Sequence, residues 1–160
     1  MPRLIAVAVL LAAPAAAAQG TLSPPERTAA FKAAGFVQRA GAWRTDCDEP
    51  GGGIYEPGAI ETVRDLNGDG PPEAVVTEGS TFCYGMTGTG FVLVSRQKAG
   101  GWRRMLATQG IATFLPTKGV AGWPDIEVGG PGFCFPVLRW NGREYVKHRM
   151  QYEGKPCRRP

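Results

Sequence analysis

The strongest constraint on the fold is a piece of sequence that occurs twice. Pro72-Glu73-Ala74-Val75-Val76 aligns with Pro124-Asp125-Ile126-Glu127-Val128 at an offset of 52 residues, and Phe82-Cys83-Tyr84 aligns with Phe133-Cys134-Phe135 at an offset of 51. Each copy runs on into a strand-turn-strand pattern. Phe91–Arg96 and Trp102–Met105 flank Lys98-Ala99-Gly100-Gly101, and Phe135–Trp140 and Glu144–Lys147 flank a tight Asn141-Gly142 turn. Asn-Gly between strand-like runs favours a hairpin, because both residues accept positive φ. A shorter segment, Phe36–Arg44, resembles the same hairpin and reads as a partial first unit. Short runs of Val, Ile, Phe, Trp and Tyr punctuated by Gly and Pro are the pattern of an all-β chain. The expected fold is mainly β, with antiparallel sheets built from about two related units at about 36–105 and 111–150. The form would be a sandwich or partly propeller-like. Two and a half units do not close a propeller, which normally takes four or more blades.

One helix is expected, over about 24–34. Ser23 can cap it, Pro24 and Pro25 suit its first turn, and Glu26 completes a capping box. Gly35 is a natural stop.

The first unit contains Asp65-Leu66-Asn67-Gly68-Asp69-Gly70-Pro71-Pro72-Glu73. Oxygen side chains fall at alternate positions, a glycine follows the third, and a carboxylate closes the stretch. Calcium takes six to eight oxygen ligands, and alternate residues of a tight loop can converge on one point. Asx- and Gly-rich stretches also make metal-free turns, because Asn and Asp bond their own backbone. The loop is not an EF-hand: its twelfth position is Val76, and a strand follows. In the second unit the same place holds Thr117-Lys118-Gly119-Val120-Ala121, and only Asp125, opposite Glu73, remains. One cation site is therefore expected.

The run Asp-Leu-Asn-Gly-Asp-Gly-x-x-Glu-x-Val-Val resembles the core motif of FG-GAP/VCBS repeats. The resemblance is strong over about a dozen residues and looser from Ile60 to Trp102. It implies a calcium loop between propeller-type strands, with Asp65, Asn67, Asp69, the carbonyl of Pro71 and Glu73 as ligands. That family usually has Asp where this chain has Glu73.

Residues 1–18 read as a secretory leader: Arg3, an apolar run from Leu4 to Ala13, then Ala16-Ala17-Ala18 as a cleavage site. The run is too short for a membrane span. Export, to a bacterial periplasm or to the medium, agrees with four cysteines, Cys47, Cys83, Cys134 and Cys157, which imply two disulfides in an oxidising compartment. Cys47–Cys83 with Cys134–Cys157 is favoured, each bridge tying a unit to the neighbouring hairpin. Of the three possible connectivities, the other plausible one is Cys47–Cys157 with Cys83–Cys134. Zinc is disfavoured, since no two cysteines have CxxC spacing and His148 is the sole histidine. The net charge of +4 is modest, and Trp102-Arg103-Arg104 and Lys147-His148-Arg149 read as solvated strand faces, not a nucleic-acid surface.

No nucleophile is paired with a base in the sequence, and no Gly-x-Ser-x-Gly elbow is present. No catalytic residue is assigned. The expectation is a small exported calcium-binding module that acts by binding an envelope glycan or protein. A hydrolase of cell-wall or sugar substrates using paired carboxylates, such as Glu61 with Asp65 or Asp46 with Asp48, is one alternative. An inhibitor of an exported hydrolase is another. Tyr55, Tyr84, Trp123 and Phe133, in or beside Gly/Pro loops, are the candidate binding aromatics. Trp123 is expected to be the most exposed of them. Core filling is the competing role for all four.

Overall fold

The structure, a computed structural model, describes residues 20–47 and 54–158. The secretory leader read over residues 1–18 lies outside the described residues, as does Asp48. Helix α1 (Pro24–Ala34) is followed by a hairpin of β1 (Val37–Arg39) and β2 (Ala42–Arg44). Then come two antiparallel meanders. The first is β3 (Tyr55–Arg64), β4 (Glu73–Ser80), β5 (Thr89–Arg96) and β6 (Trp102–Gln109). The second is β7 (Ile111–Lys118), β8 (Pro124–Gly129), β9 (Phe135–Trp140) and β10 (Tyr145–Tyr152), extended by the short β11 (Lys155–Pro156). The protein is mainly β, and in both sheets the strands lie side by side in chain order. Residues 36–44 form a separate two-stranded sheet rather than part of the first meander.

Alternation along the strands explains the layering. Paired residues of an antiparallel ladder share a face. On one face of the first sheet Ala74, Val76 and Val94 meet Ala30, Phe31, Ala34 and Phe36 of the helix side. Phe31 stacks on Trp43 at 4.7 Å between ring centroids, and Glu26 forms an ion pair with Arg96 of β5. The helix is short, so this packing is what holds it. It ends at Gly35, whose φ of 93° an L side chain rarely adopts. On the other face Val75, Phe91 and Leu93 pack on Trp123, Ile126, Trp140 and Tyr145 of the second sheet. The order of layers is therefore helix and hairpin, first sheet, second sheet.

The far face of the second sheet is polar. Asp125 and Glu127 alternate with Ile126, which points into the core. Where the first sheet presents Val75 and Ser95 to its neighbour, the corresponding positions of the second sheet are Glu127 and Arg139. Helix α1 covers the opposite end of the stack.

The Asn141-Gly142 connection differs from a two-residue turn. Trp140 pairs with Tyr145, so four residues intervene. The Asn141 side-chain oxygen accepts the N–H groups of Arg143 (2.8 Å) and Glu144 (2.9 Å), which makes an Asx-stabilised loop instead. The disulfides join Cys47 to Cys83 and Cys134 to Cys157. No helix among the described residues is long and apolar enough to cross a membrane.

Candidate functional site

The loop between β3 and β4 carries Asp65, Asn67, Asp69 and Pro71, and Glu73 is the first residue of β4. Backbone N–H groups organise it. Asp65 Oδ1 accepts from Gly68 (2.7 Å) and Asp69 (3.2 Å), and its Oδ2 accepts from Gly70 (2.9 Å). Asn67 Oδ1 accepts from Asp69 (2.9 Å). Gly68 and Gly70 have φ of 81° and 102°, which lets the chain curl round these oxygens. Glu73 is fully buried; its Oε2 accepts from Leu66 N–H and its Oε1 from the Ser95 hydroxyl, both at 2.8 Å. Gly122, at φ 77°, lies against the carbonyl of Asn67 so closely that a Cβ there would come within 2.5 Å of the oxygen. The second unit thus buttresses the loop.

These donors fit a hard cation in kind. They are oxygens only, and each ionised carboxylate retains lone pairs beyond the hydrogen bonds just given. Among the described residues, however, no three of His, Cys, Asp and Glu are grouped as a ready metal cage. A cation would have to draw the carboxylates together. Their mutual repulsion already registers at Glu73. Burial pushes its carboxyl up to about 7, hydrogen bonds from Leu66 and Ser95 oppose this, and Asp65 and Asp69 raise it further. Arg64, directly across from Glu73 in the β3–β4 register, forms no ion pair with it. The Arg64 guanidinium lies over the Phe114 ring at 5.4 Å instead.

A pH dependence follows. A carboxyl with an ordinary value of 4.5 and a folded value of about 7 contributes stability that is complete below 4.5. That contribution is lost as pH rises through 7. The gap corresponds to about 3 kcal/mol. Urea unfolding in EDTA should show the parent losing stability between pH 5 and pH 8 relative to Glu73→Gln. A parallel pH dependence of the two proteins would refute the assignment.

Asp125, the counterpart of Glu73, is equally buried and answered quite differently. Arg139, opposite it on β9, donates to both carboxylate oxygens, from Nε to Oδ1 at 2.9 Å and from a terminal nitrogen to Oδ2 at 2.8 Å. Arg149 (3.0 Å) and the Thr117 hydroxyl (2.6 Å) also reach Oδ2. The Arg139 hydrogen bonds lead, against desolvation, in holding the Asp125 carboxyl well below the usual carboxylate range. Ser95 holds the place in the first unit that Arg139 holds in the second. One unit therefore carries its own cation at this position, and the other does not.

The candidate aromatics divide. Trp123 is not the exposed loop residue expected: it is only 6% exposed. Its ring fills the space beside Trp140 (5.8 Å) and Tyr145 (6.3 Å), because the sheets meet there. Tyr55 and Tyr84 are half-buried, and both give their hydroxyls to Glu78, Tyr84 at 2.7 Å. Phe133 stays outside at 64% exposed, edge-on to Tyr152. Phe82 and Met86, in the corresponding loop of the first unit, are 62% and 91% exposed. His148 is exposed on β10.

Glu78 was not picked out from sequence. Its carboxylate also accepts Thr45 N–H (2.9 Å) and the Thr45 hydroxyl (2.5 Å). Burial alone would push the carboxyl up, but the bonds from Thr45, Tyr55 and Tyr84 outweigh it and hold the group lowered. Desolvation and the nearby carboxylate push the Tyr84 hydroxyl up to about 12. This cluster clamps the segment before Cys47 onto β4. The available signal was parity: Glu78 continues the inward series Ala74, Val76.

No protein-family model, curated protein or solved structure matches the chain.

Proposed function

We propose that this chain is an exported β module that holds one calcium ion at Asp65, Asn67, Asp69, the Pro71 carbonyl and Glu73, and acts by binding a glycan or protein of the cell envelope. The observation that carries the reading is the contrast between the two units. Asp125 is neutralised by two arginines, whereas Glu73, buried at the matching position, has two carboxylates for neighbours and no cationic side chain paired with it. Calcium would supply in the first unit the charge that Arg139 and Arg149 supply in the second. Two consecutive four-stranded meanders, with the loop opening the second strand of the first, support the likeness to FG-GAP/VCBS repeats. Two disulfides lend weak support to an oxidising compartment. Phe82, Met86 and Phe133 would give the module its apolar contact surface.

Thermal unfolding in EDTA and in millimolar calcium tests the reading, with Asp65→Ala and Asp69→Ala alongside. Calcium at a hundredfold excess over its dissociation constant should add about 2.7 kcal/mol. Both variants should lose that gain. An unshifted midpoint, with variants as stable as the parent, would leave the loop a polar turn.

A further inference from the structure

A cleft of about 600 Å³ is lined by residues of β3, β4, β5 and β7. It opens between β3 and β7, each an edge strand of its sheet. Both edges carry a proline, Pro57 and Pro116, which discourages pairing with another sheet along their full length.

Strand β3 is bulged twice. Glu56 pairs with Gly79 but Ala59 with Thr77, and Ile60 pairs with Val76 but Thr62 with Val75. At the second bulge one residue of β4 faces two of β3, so Glu61 and Thr62 both turn to the face that looks toward the second sheet. Bulges commonly re-aim side chains in this way. Glu61 accepts the Thr77 hydroxyl through Oε1 (3.2 Å), and this contact lies in the cleft. Two residues beyond Thr62, Arg64 enters the same cleft and lies over Phe114. Its Nε is buried and has no hydrogen-bond partner, and the guanidinium makes no ion pair with any described residue. The buried Nε leaves one donor of this guanidinium unsatisfied, which costs free energy. The walls between the charges mix apolar and hydroxyl groups, Val75, Phe91 and Ile111 with Thr77, Thr89 and Thr113.

We infer that this cleft binds a short peptide with free ends. Arg64 would take the terminal carboxylate, in the planar two-bond geometry that a guanidinium offers. Glu61 would take the terminal ammonium, with Glu56 reinforcing the negative potential at that end. A simple anion is disfavoured, since two carboxylates share the cleft with one arginine. Glu61 and Arg64 are three strand steps apart, at most about 10 Å along the strand. An extended tripeptide spans about the same distance. β7 is an edge strand and offers backbone groups to an extended chain, the mode in which peptides add to sheet edges, whereas on β3 the Val63 carbonyl is already taken by the Gly20 N–H (2.9 Å). The inference does not depend on the calcium reading.

The test is a chemical-shift titration of the ¹⁵N-labelled, oxidised protein in EDTA with Ala-Ala-Ala, its N-acetyl form and its C-terminal amide. The expected result is saturable binding of the free tripeptide, weakened about tenfold or more by blocking either end. Glu61→Gln should make affinity insensitive to acetylation, and Arg64→Gln insensitive to amidation. Glu61 is exposed on a bulge, so its variant remains informative even if the Arg64 variant folds poorly. Absence of saturable binding at about 10 mM, or equal affinity for the blocked peptides, would overturn the inference.

Discussion

Reduction of both disulfides should lower the folding free energy by about 7 kcal/mol. The two bridges close segments separated by 36 and 23 residues, which do not overlap. Loop-closure entropy gives about 3–4 kcal/mol for each, somewhat more for the longer. Lying in different units, they should act nearly independently. The total is comparable to the whole stability of an ordinary domain, about 5–15 kcal/mol. Each bridge also has a local task. Cys47–Cys83 pins the segment that Thr45 fastens to the buried Glu78. Cys134–Cys157 holds the Phe133 loop against the chain end, where β11 is only two residues long. Urea unfolding of the oxidised protein, the reduced protein and the two paired Cys→Ala variants would measure this. A reduced protein within about 1 kcal/mol of the oxidised one would show that packing alone holds the layers.

The second large effect is expected at the polar face of the second sheet. Removing both arginines, Arg139→Ala with Arg149→Ala, should cost about 4–5 kcal/mol, because it strands the Asp125 carboxylate in a buried place. Arg149→Ala alone should cost far less, about 1–2 kcal/mol, since the two bonds from Arg139 remain. Asp125→Ala should fall between, near 3 kcal/mol, because the arginines left behind are about a third exposed and can turn to water. The pH sign is opposite to that of Glu73. The Asp125 carboxyl is lowered in the folded state, so its contribution is present above the ordinary aspartate value and is lost as pH falls through the folded one. The deficit of Asp125→Ala should therefore stay constant from pH 8 to about 5 and shrink only below about 4. An Arg139/Arg149 double variant as stable as the parent would mean that Asp125 finds water or another partner.

Those two carboxylates show how far linear sequence reaches. Local rules were enough for the helix, whose cap residues and terminal glycine lie within one short segment. They were enough for the mainly-β class, because strand parity and Gly/Pro punctuation are properties of a few neighbouring residues. The repeat also made Glu73 and Asp125 counterparts, and the loss of loop carboxylates around Thr117–Ala121 was visible at once. Which way either acid faced, and what answered it, was not. Arg139 and Arg149 reach Asp125 from β9 and β10, 14 and 24 residues along the chain. Pairing register, not spacing, brings them there. Trp123 illustrates the same limit: a Gly-Trp-Pro loop looks exposed until a second sheet closes over it. Likewise the bulge that turns Glu61 into the cleft leaves no mark in the residues themselves. Sequence determined the mainly-β class, the first helix, the cysteine content and the alternation of the loop oxygens, because these depend on local backbone preference and composition. Tertiary structure alone decided which of the three cysteine schemes formed, which aromatics were buried and where Arg64 points. Each of these turns on contacts between strands far apart in the chain, whose free energies exist only once the sheets have packed.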